Sequence, residues 1–175
     1  MIVIIANTFF IVASILMFIS GIQKNKKNIV INQTIQILIT TIGDLILGGY
    51  TAALINIISI LRNILSYKEK LNLPIKIVLS IISVVFSIFI NDLGVIGFFP
   101  VIVMLLFIWF MNTKDVVKYK YLMIVSLSLW FVYDFTIKAY IGAIFDAATV
   151  MASVISIIQI KRINNQKSKR GNLNG

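Results

Sequence analysis

DLILGGYTAALINIISILRNILS, residues 44–66, and DFTIKAYIGAIFDAATVMASVIS, residues 134–156, are the two stretches that organise this chain. At a shift of 90 residues Asp44 falls on Asp134, Tyr50 on Tyr140, Ala53 on Ala143 and Ser66 on Ser156. The same shift sets Asn56 on Asp146, Ser59 on Thr149 and Asn63 on Ser153. Coincident apolar residues carry little weight in so apolar a sequence, but coincident polar ones are rarer. The expectation is an internal repeat.

The sequence around these stretches is built from runs of the same kind. Hydrophobic residues make up 59 % of the chain and charged residues 13 %, with a mean hydropathy of +1.00. Soluble domains average about 45–50 % apolar and about 25 % charged, and a chain of this size could not hide the excess from water. A spanning helix needs about 20 mostly apolar residues. Seven runs qualify: Ile2–Gly21, Ile29–Leu47, Tyr50–Tyr67, Leu73–Ile90, Leu93–Met111, Tyr119–Ile137 and Tyr140–Ile160. The first lacks a basic leader and a small-residue cleavage site, and reads as a retained helix. Residues 163–175 are polar and rich in Lys and Arg, with no apolar period from Asn164 onward. They read as a disordered basic cytoplasmic tail.

The net charge of +10 is spread as membrane loops spread it, in short clusters between apolar runs, and nucleic acid is not the expected partner. With seven spans, all 16 Lys and Arg residues except Lys138 fall on one side. The positive-inside rule then places the N-terminus outside and the C-terminus in the cytoplasm. The chain has no Cys and no His, which removes disulfides, thiol chemistry and imidazole-based metal or acid–base sites.

If the repeat is real, residues 1–67 and 93–160 are two three-helix units and the helix at 73–90 links them. A single linking helix lets both units enter the membrane in the same direction. The fold class is therefore all-α, a polytopic membrane bundle of seven transmembrane helices in a 3+1+3 parallel-repeat arrangement. Small transporters use this plan, with sites between the repeats near the bilayer midplane.

Asn56, Ser59 and Asn63 stand at i, i+3 and i+7, along one helical face, and Asp146, Thr149 and Ser153 repeat that stripe. As function, Asn56 and Asp146 face each other across a central cavity and hydrogen-bond a polar solute, with Asn63, Ser153 and Trp130 as further candidates. As structure, such stripes join helices, as Ser, Thr and Asn do in lipid, and this reading is favoured for the serines and the threonine. An acid inside a membrane costs about 2.5–3.5 kcal/mol at a helix centre on insertion scales, so a function for Asp146 is the default, with proton coupling among the options. Asp44 and Asp134, near the outer ends of the second and sixth runs, are candidate gating or coupling groups. Asp134 has Lys138 four residues on as a local ion partner; Asp44 has Gly48 there, and with Gly43 and Gly49 a tight turn before the third run. Arg62 reads as a snorkelling side chain. Trp109, Trp130, Tyr133 and Tyr140 read as interfacial anchors, with Trp130 deeper, and Pro100 as a kink in the fifth helix.

The 3+1+3 plan resembles the SWEET, PQ-loop and PnuC group of transporters. The segment Ile42-Gly-Asp-Leu-Ile-Leu-Gly-Gly-Tyr-Thr-Ala-Ala-Leu-Ile-Asn56, continuing to Leu61-Arg62-Asn63, resembles more narrowly the YgjV family of bacterial inner-membrane proteins. So does Leu129-Trp130-Phe-Val-Tyr133-Asp134. In SWEET proteins, asparagines of the third and seventh helices face the pocket, and Asn56 and Asp146 resemble those positions. The Pro-Gln pair of the PQ-loop group is absent, helix 1 has no proline, and the histidine that YgjV proteins often carry near the position of Asp44 is missing. The resemblance implies architecture more than activity.

No Walker loop, dinucleotide glycine pattern, HExxH or GxSxG occurs, so neither an enzyme nor a bound cofactor or metal is expected. The expected protein is a multi-pass component of a bacterial cytoplasmic membrane. Its partners are the bilayer and a small polar solute moved by alternating access, alone or as a homo-oligomer. The rival expectation is a non-transporting scaffold or regulatory partner protein.

Overall fold

The structure, a computed structural model, describes residues 2–91, 93–137 and 139–171. Among them there are seven α-helices and no strand: α1 Ile2–Ile22, α2 Lys26–Leu47, α3 Tyr50–Tyr67, α4 Leu73–Ile90, α5 Phe99–Phe110, α6 Val116–Thr136 and α7 Tyr140–Gly171. A 3-10 turn, Ile96–Phe98, leads into α5.

Short polar residues set the helix starts. The Asn25 side chain accepts from the Lys27 amide at 2.9 Å at the head of α2, and Asp115 accepts from Val117 at 2.8 Å at the head of α6. Each satisfies an amide that has no partner within its helix. α4 begins at Asn72, which accepts from Ile75, with Pro74 in the first turn. α2 ends at Gly48, whose φ of +80° is a left-handed cap that a side chain would strain.

α1 packs on α2 and α7, α2 on α3, α5 on α6 and α6 on α7, and α3 meets α5 to close the ring. α4 lies against α3 and α5 and buries only Leu79, Ser83 and Ser87. Close approach of α1 and α7 rests on Gly21, where an added Cβ would stand 3.0 Å from Thr149 Cγ2 and 3.3 Å from Ala152 Cβ. Small residues at a crossing let two backbones approach and gain dispersion contacts, which drive association in lipid.

Polarity runs inside out. On α3, Asn56, Ser59, Arg62 and Asn63 are buried while Ile57 and Leu61 are 54 % and 49 % exposed. On α7, Asp146, Thr149, Ser153 and Ser156 are buried while Ile144 and Met151 are 67 % and 65 % exposed. Apolar surface on this scale far exceeds the patches of soluble monomers; hydrocarbon is its solvent. Five helices are long and apolar enough to cross a membrane: Val3–Ile22, Lys26–Leu47, Leu73–Ile90, Val116–Thr136 and Tyr140–Gln166. α3 has the length, but its polar stripe lowers its hydropathy; Ile96–Phe110 is apolar and shorter.

Several expectations are corrected. Pro100 stands in the first turn of α5, not at a mid-helix kink, where its missing amide hydrogen is one that no helix bond would use. Ahead of it, Gly94 has φ +59°. The Asn91 side chain holds this turn by donating to the Gly94 carbonyl at 2.8 Å and accepting from Leu93 at 3.0 Å. Of the tail 163–175, expected to be disordered, residues 163–171 continue α7 as helix, because a helix already nucleated adds residues without repeating the nucleation penalty; residues 172–175 lie outside the described residues. Tyr133 is buried, its ring edge-on to Trp130 at 5.4 Å, and does not serve as an interfacial anchor.

The α1–α7 crossing gives a test. Gly21→Leu should destabilise the protein by about 1–3 kcal/mol through overpacking, lowering Tm in detergent by about 2–4 °C per kcal/mol. Gly21→Ala should cost less. Unchanged melting of the Leu variant would show that the crossing is not close-packed.

Candidate functional site

The polar faces of five helices meet in a cavity of about 70 Å³. α1 contributes Phe10, Ser14 and Met17, and α2 contributes Gln36, Thr40 and Asp44. α3 contributes Asn56, α6 Trp130 and Asp134, and α7 Gly142, Phe145 and Asp146. The spacings 36, 40, 44 and 10, 14, 17 are those of single helical faces. The cavity sits where α2 turns into α3 and α6 into α7.

Each acid is held differently. Asp44 Oδ2 accepts from Asn56 Nδ2 at 2.8 Å, a bond across the turn between α2 and α3. The Asp134 carboxylate lies against the α7 backbone at Gly142, where a Cβ would collide with it. Asp146, one helical turn further on, is 9 % exposed, and its Oδ2 is buried with no hydrogen-bond partner. The Asp134–Lys138 pairing expected from the sequence lies outside the described residues. Among the described residues no Lys or Arg lines the cavity. No three acids converge closely enough to hold a metal ion among those residues.

A second cavity, about 50 Å³, shares Met17 and Gln36 with the first. Gln33 and Ile37 of α2, Arg62 of α3, Phe107 of α5 and Met123, Ser126 and Leu127 of α6 complete it. At the far end of the bundle a vestibule of about 660 Å³ opens among the loops, lined by Lys24, Lys26, Lys27 and Lys114 with Ser66 and Asn112.

A polar layer lies between the second cavity and the vestibule. The Arg62 guanidinium donates to Asn63 Oδ1 at 2.8 and 3.2 Å and to Met104 Sδ at 3.2 Å, and rests 4.7 Å from the centre of the Phe107 ring. Asn63 Nδ2 passes the chain on to Thr34 Oγ1. Beside it Tyr119 Oη donates to Gln33 Oε1 at 2.6 Å. Arg62 is 3 % exposed and turned inward, so the snorkelling expectation fails. Its position three residues after Ser59 put it on the inward stripe all along; its charge argued for lipid phosphates instead. Lys120 is buried in α6 and donates to the Gly21 carbonyl at 2.6 Å, capping α1.

Of the sequence candidates, Asn56, Asp146, Trp130, Asp44 and Asp134 share the first cavity. Asn63 belongs to the layer below, and Ser153 is buried with its hydroxyl unpartnered, away from all three spaces. Sequence reasoning missed Ser14, Gln36, Thr40 and Gly142. The face Gln33, Gln36, Thr40, Asp44 was a legible signal for the two α2 residues.

The model of one protein family, Imp-YgjV, described as a bacterial inner membrane protein, matches residues 4–164. No curated protein and no solved structure matches the chain.

The inner layer gives a second test. Asn63→Leu leaves two guanidinium donors unpaired in the interior and should destabilise by about 1–3 kcal/mol. Arg62→Met combined with Asn63→Leu removes both partners and should recover most of that loss. A double variant no more stable than Asn63→Leu would show that the two side chains are not coupled.

Proposed function

This chain belongs to the Imp-YgjV family of bacterial inner-membrane proteins, and we propose that it carries a small polar solute across that membrane by alternating access. In this reading α1–α3 and α5–α7 are parallel repeats, α4 is the linker, and all seven helices cross the bilayer. Helix starts support it: α2 and α6 begin at Lys26 and Val116, α3 and α7 at Tyr50 and Tyr140, each 90 residues apart. The turns match too, since the Gly49 amide donates to the Asp44 carbonyl and the Ala139 amide to the Asp134 carbonyl, both at 2.8 Å. Neighbours α1–α2, α2–α3 and α1–α7 become α5–α6, α6–α7 and α5–α3 when the repeats are exchanged.

One observation carries the transport reading. Thr40 and Trp130, Asp44 and Asp134, and Asn56 and Asp146 line the first cavity as pairs 90 residues apart. Met17 and Phe107, Gln33 and Met123, Gln36 and Ser126, and Ile37 and Leu127 line the second in the same way. Spaces walled by equivalent residues of two repeats lie along the axis that relates them, which is where transporters of this plan hold their substrate. Asn56, Asp146, Asp44, Asp134 and Trp130 form the site. The Arg62–Asn63–Thr34 layer closes it from the basic vestibule. Rocking the repeats about the axis would part that layer and close the acidic end. Carriage is passive or ion-coupled, since the sequence has no ATP motif. No catalytic role is proposed, and one chain supplies both repeats of a pathway.

The basic vestibule and the Lys/Arg distribution support an orientation with the N-terminus outside and the C-terminus in the cytoplasm. Green fluorescent protein fused after Gly175 should fluoresce, and alkaline phosphatase fused there should be inactive. The opposite pair of results overturns the orientation.

For transport itself, the absence of Cys makes single-cysteine labelling direct. Purified protein is first screened by thermal shift against sugars, nucleosides, vitamin precursors and amino acids, where saturation at one hundred times Kd adds about 2.7 kcal/mol. Ser14→Cys in the acidic cavity and Ser66→Cys in the vestibule then report each face to an impermeant maleimide. A stabilising solute should change the two labelling rates in opposite directions and accumulate in proteoliposomes; Asn56→Ala should abolish both effects. No stabilising solute, with constant labelling and no flux, favours a scaffold or regulatory partner.

A further inference from the structure

Among the described residues the acidic cavity is chemically one-sided. Asp44, Asp134 and Asp146 contribute three carboxyl groups to a space of about 70 Å³, and no described cationic side chain faces them. Arg62 is held in the layer below by Asn63, Met104 and Phe107, and Lys120 by the Gly21 carbonyl. Lys138 lies between α6 and α7, outside the described residues. Of the two side-chain amides in the cavity, Asn56 donates to Asp44 and Gln36 to the Thr40 hydroxyl. Asp146 Oδ2 is left buried and unpartnered in a side chain 9 % exposed. A buried acceptor without a donor loses free energy that a ligand donor would restore.

The walls narrow the ligand. The acids do not converge as a chelating set, which argues against a divalent ion, since such ions take six or more oxygens at short range. Phe10, Trp130 and Phe145 present aromatic surface beside the acids, and aromatic faces attract cations, ammonium groups in particular. Separated acceptors suit a group whose N–H bonds point in different directions. The volume holds a handful of water-sized groups, at about 10–15 Å³ each, which is too small for a sugar or a nucleoside.

We infer that this cavity binds an ammonium cation, either free ammonium or the head of a small primary amine, with Asp146 as its principal acceptor and Asp134 and Asp44 beside it. The inference rests on the transport reading for the role of the cavity, and adds what fills it. The cation is then the solute itself or an ion that accompanies it.

The test uses the full-length protein in nanodiscs at pH 8 and constant ionic strength, with choline chloride as reference salt. Choline has no N–H donor and is too large. Ammonium chloride and methylammonium chloride replace it in one pair of arms, sodium and potassium chloride in another. Ammonium or methylammonium at one hundred times Kd should raise Tm by about 5–10 °C, and the stronger of the two identifies free ammonium or an amine head. The rise should vanish in Asp146→Asn, weaken in Asp134→Asn, and survive in Ser153→Ala, which lies outside the cavity. Should Asp146→Asn fail to fold, a weakened rise in Asp134→Asn serves as the reading. Four results overturn the assignment: no rise in a folded parent, an equal rise with sodium or potassium, a rise untouched by both acid variants, or a rise only in Lys138→Gln. A flat cation response in a protein that still moves a solute removes the cation site and leaves the transport reading. A specific response without flux or changed labelling supports the cation site and removes the transport reading.

Discussion

Hydrocarbon offers no partner to a polar group, and the architecture follows from that single constraint. Every amide of a spanning segment must bond within its own helix, and every polar side chain must turn away from lipid. The stripes of α3 and α7 therefore point inward, and with the faces of α1, α2 and α6 they define a polar interior surrounded by Ile, Val and Phe. Several hydroxyls bond back to their own helix, as Ser83 does to the Leu79 carbonyl at 2.8 Å and Thr149 to the Phe145 carbonyl at 2.8 Å. Such bonds satisfy a group without joining helices.

The remaining polar groups are distributed along the bundle by sign. The buried acids gather where α2 turns into α3 and α6 into α7; a buried guanidinium with its amide, sulfur and aromatic partners occupies the middle; four lysines, with Glu69 among them, surround the opposite mouth. A charge desolvated in this way is stable only when its neighbours replace water. Arg62 meets that demand with two hydrogen bonds to Asn63, one to Met104 and a ring face. Among the described residues the acids of the first cavity meet it only in part, through Asn56.

Packing supplies the rigidity that the site needs. Gly21 lets α1 and α7 touch, and Lys120 ties the end of α1 to α6. Gly142 leaves room for the Asp134 carboxylate against α7. On the other side, Ile29, Ile55, Met104, Ile108 and Met123 form a dry core among α2, α3, α5 and α6. α4 shares little of it.

Much of this was legible in the residues. Length and hydropathy of the runs determined that the chain is helical and multi-pass, because only about 20 apolar residues can satisfy the bilayer, and no other reading of 59 % hydrophobic residues survives. The spacing of Asn56, Ser59 and Asn63 determined which face of α3 turns inward, since helical geometry is local. Only the tertiary structure decided that Arg62 joins that face, that Pro100 begins a helix, that Tyr133 is buried and that α7 runs past residue 163. It also decided that five candidate residues share one cavity while Asn63 and Ser153 do not. The physical reason is the same in each case. Periodicity fixes a direction around one helix axis, but whether a side chain there meets lipid, a ring face or another acid depends on a second helix, and which helix arrives beside it is not a local property of the chain.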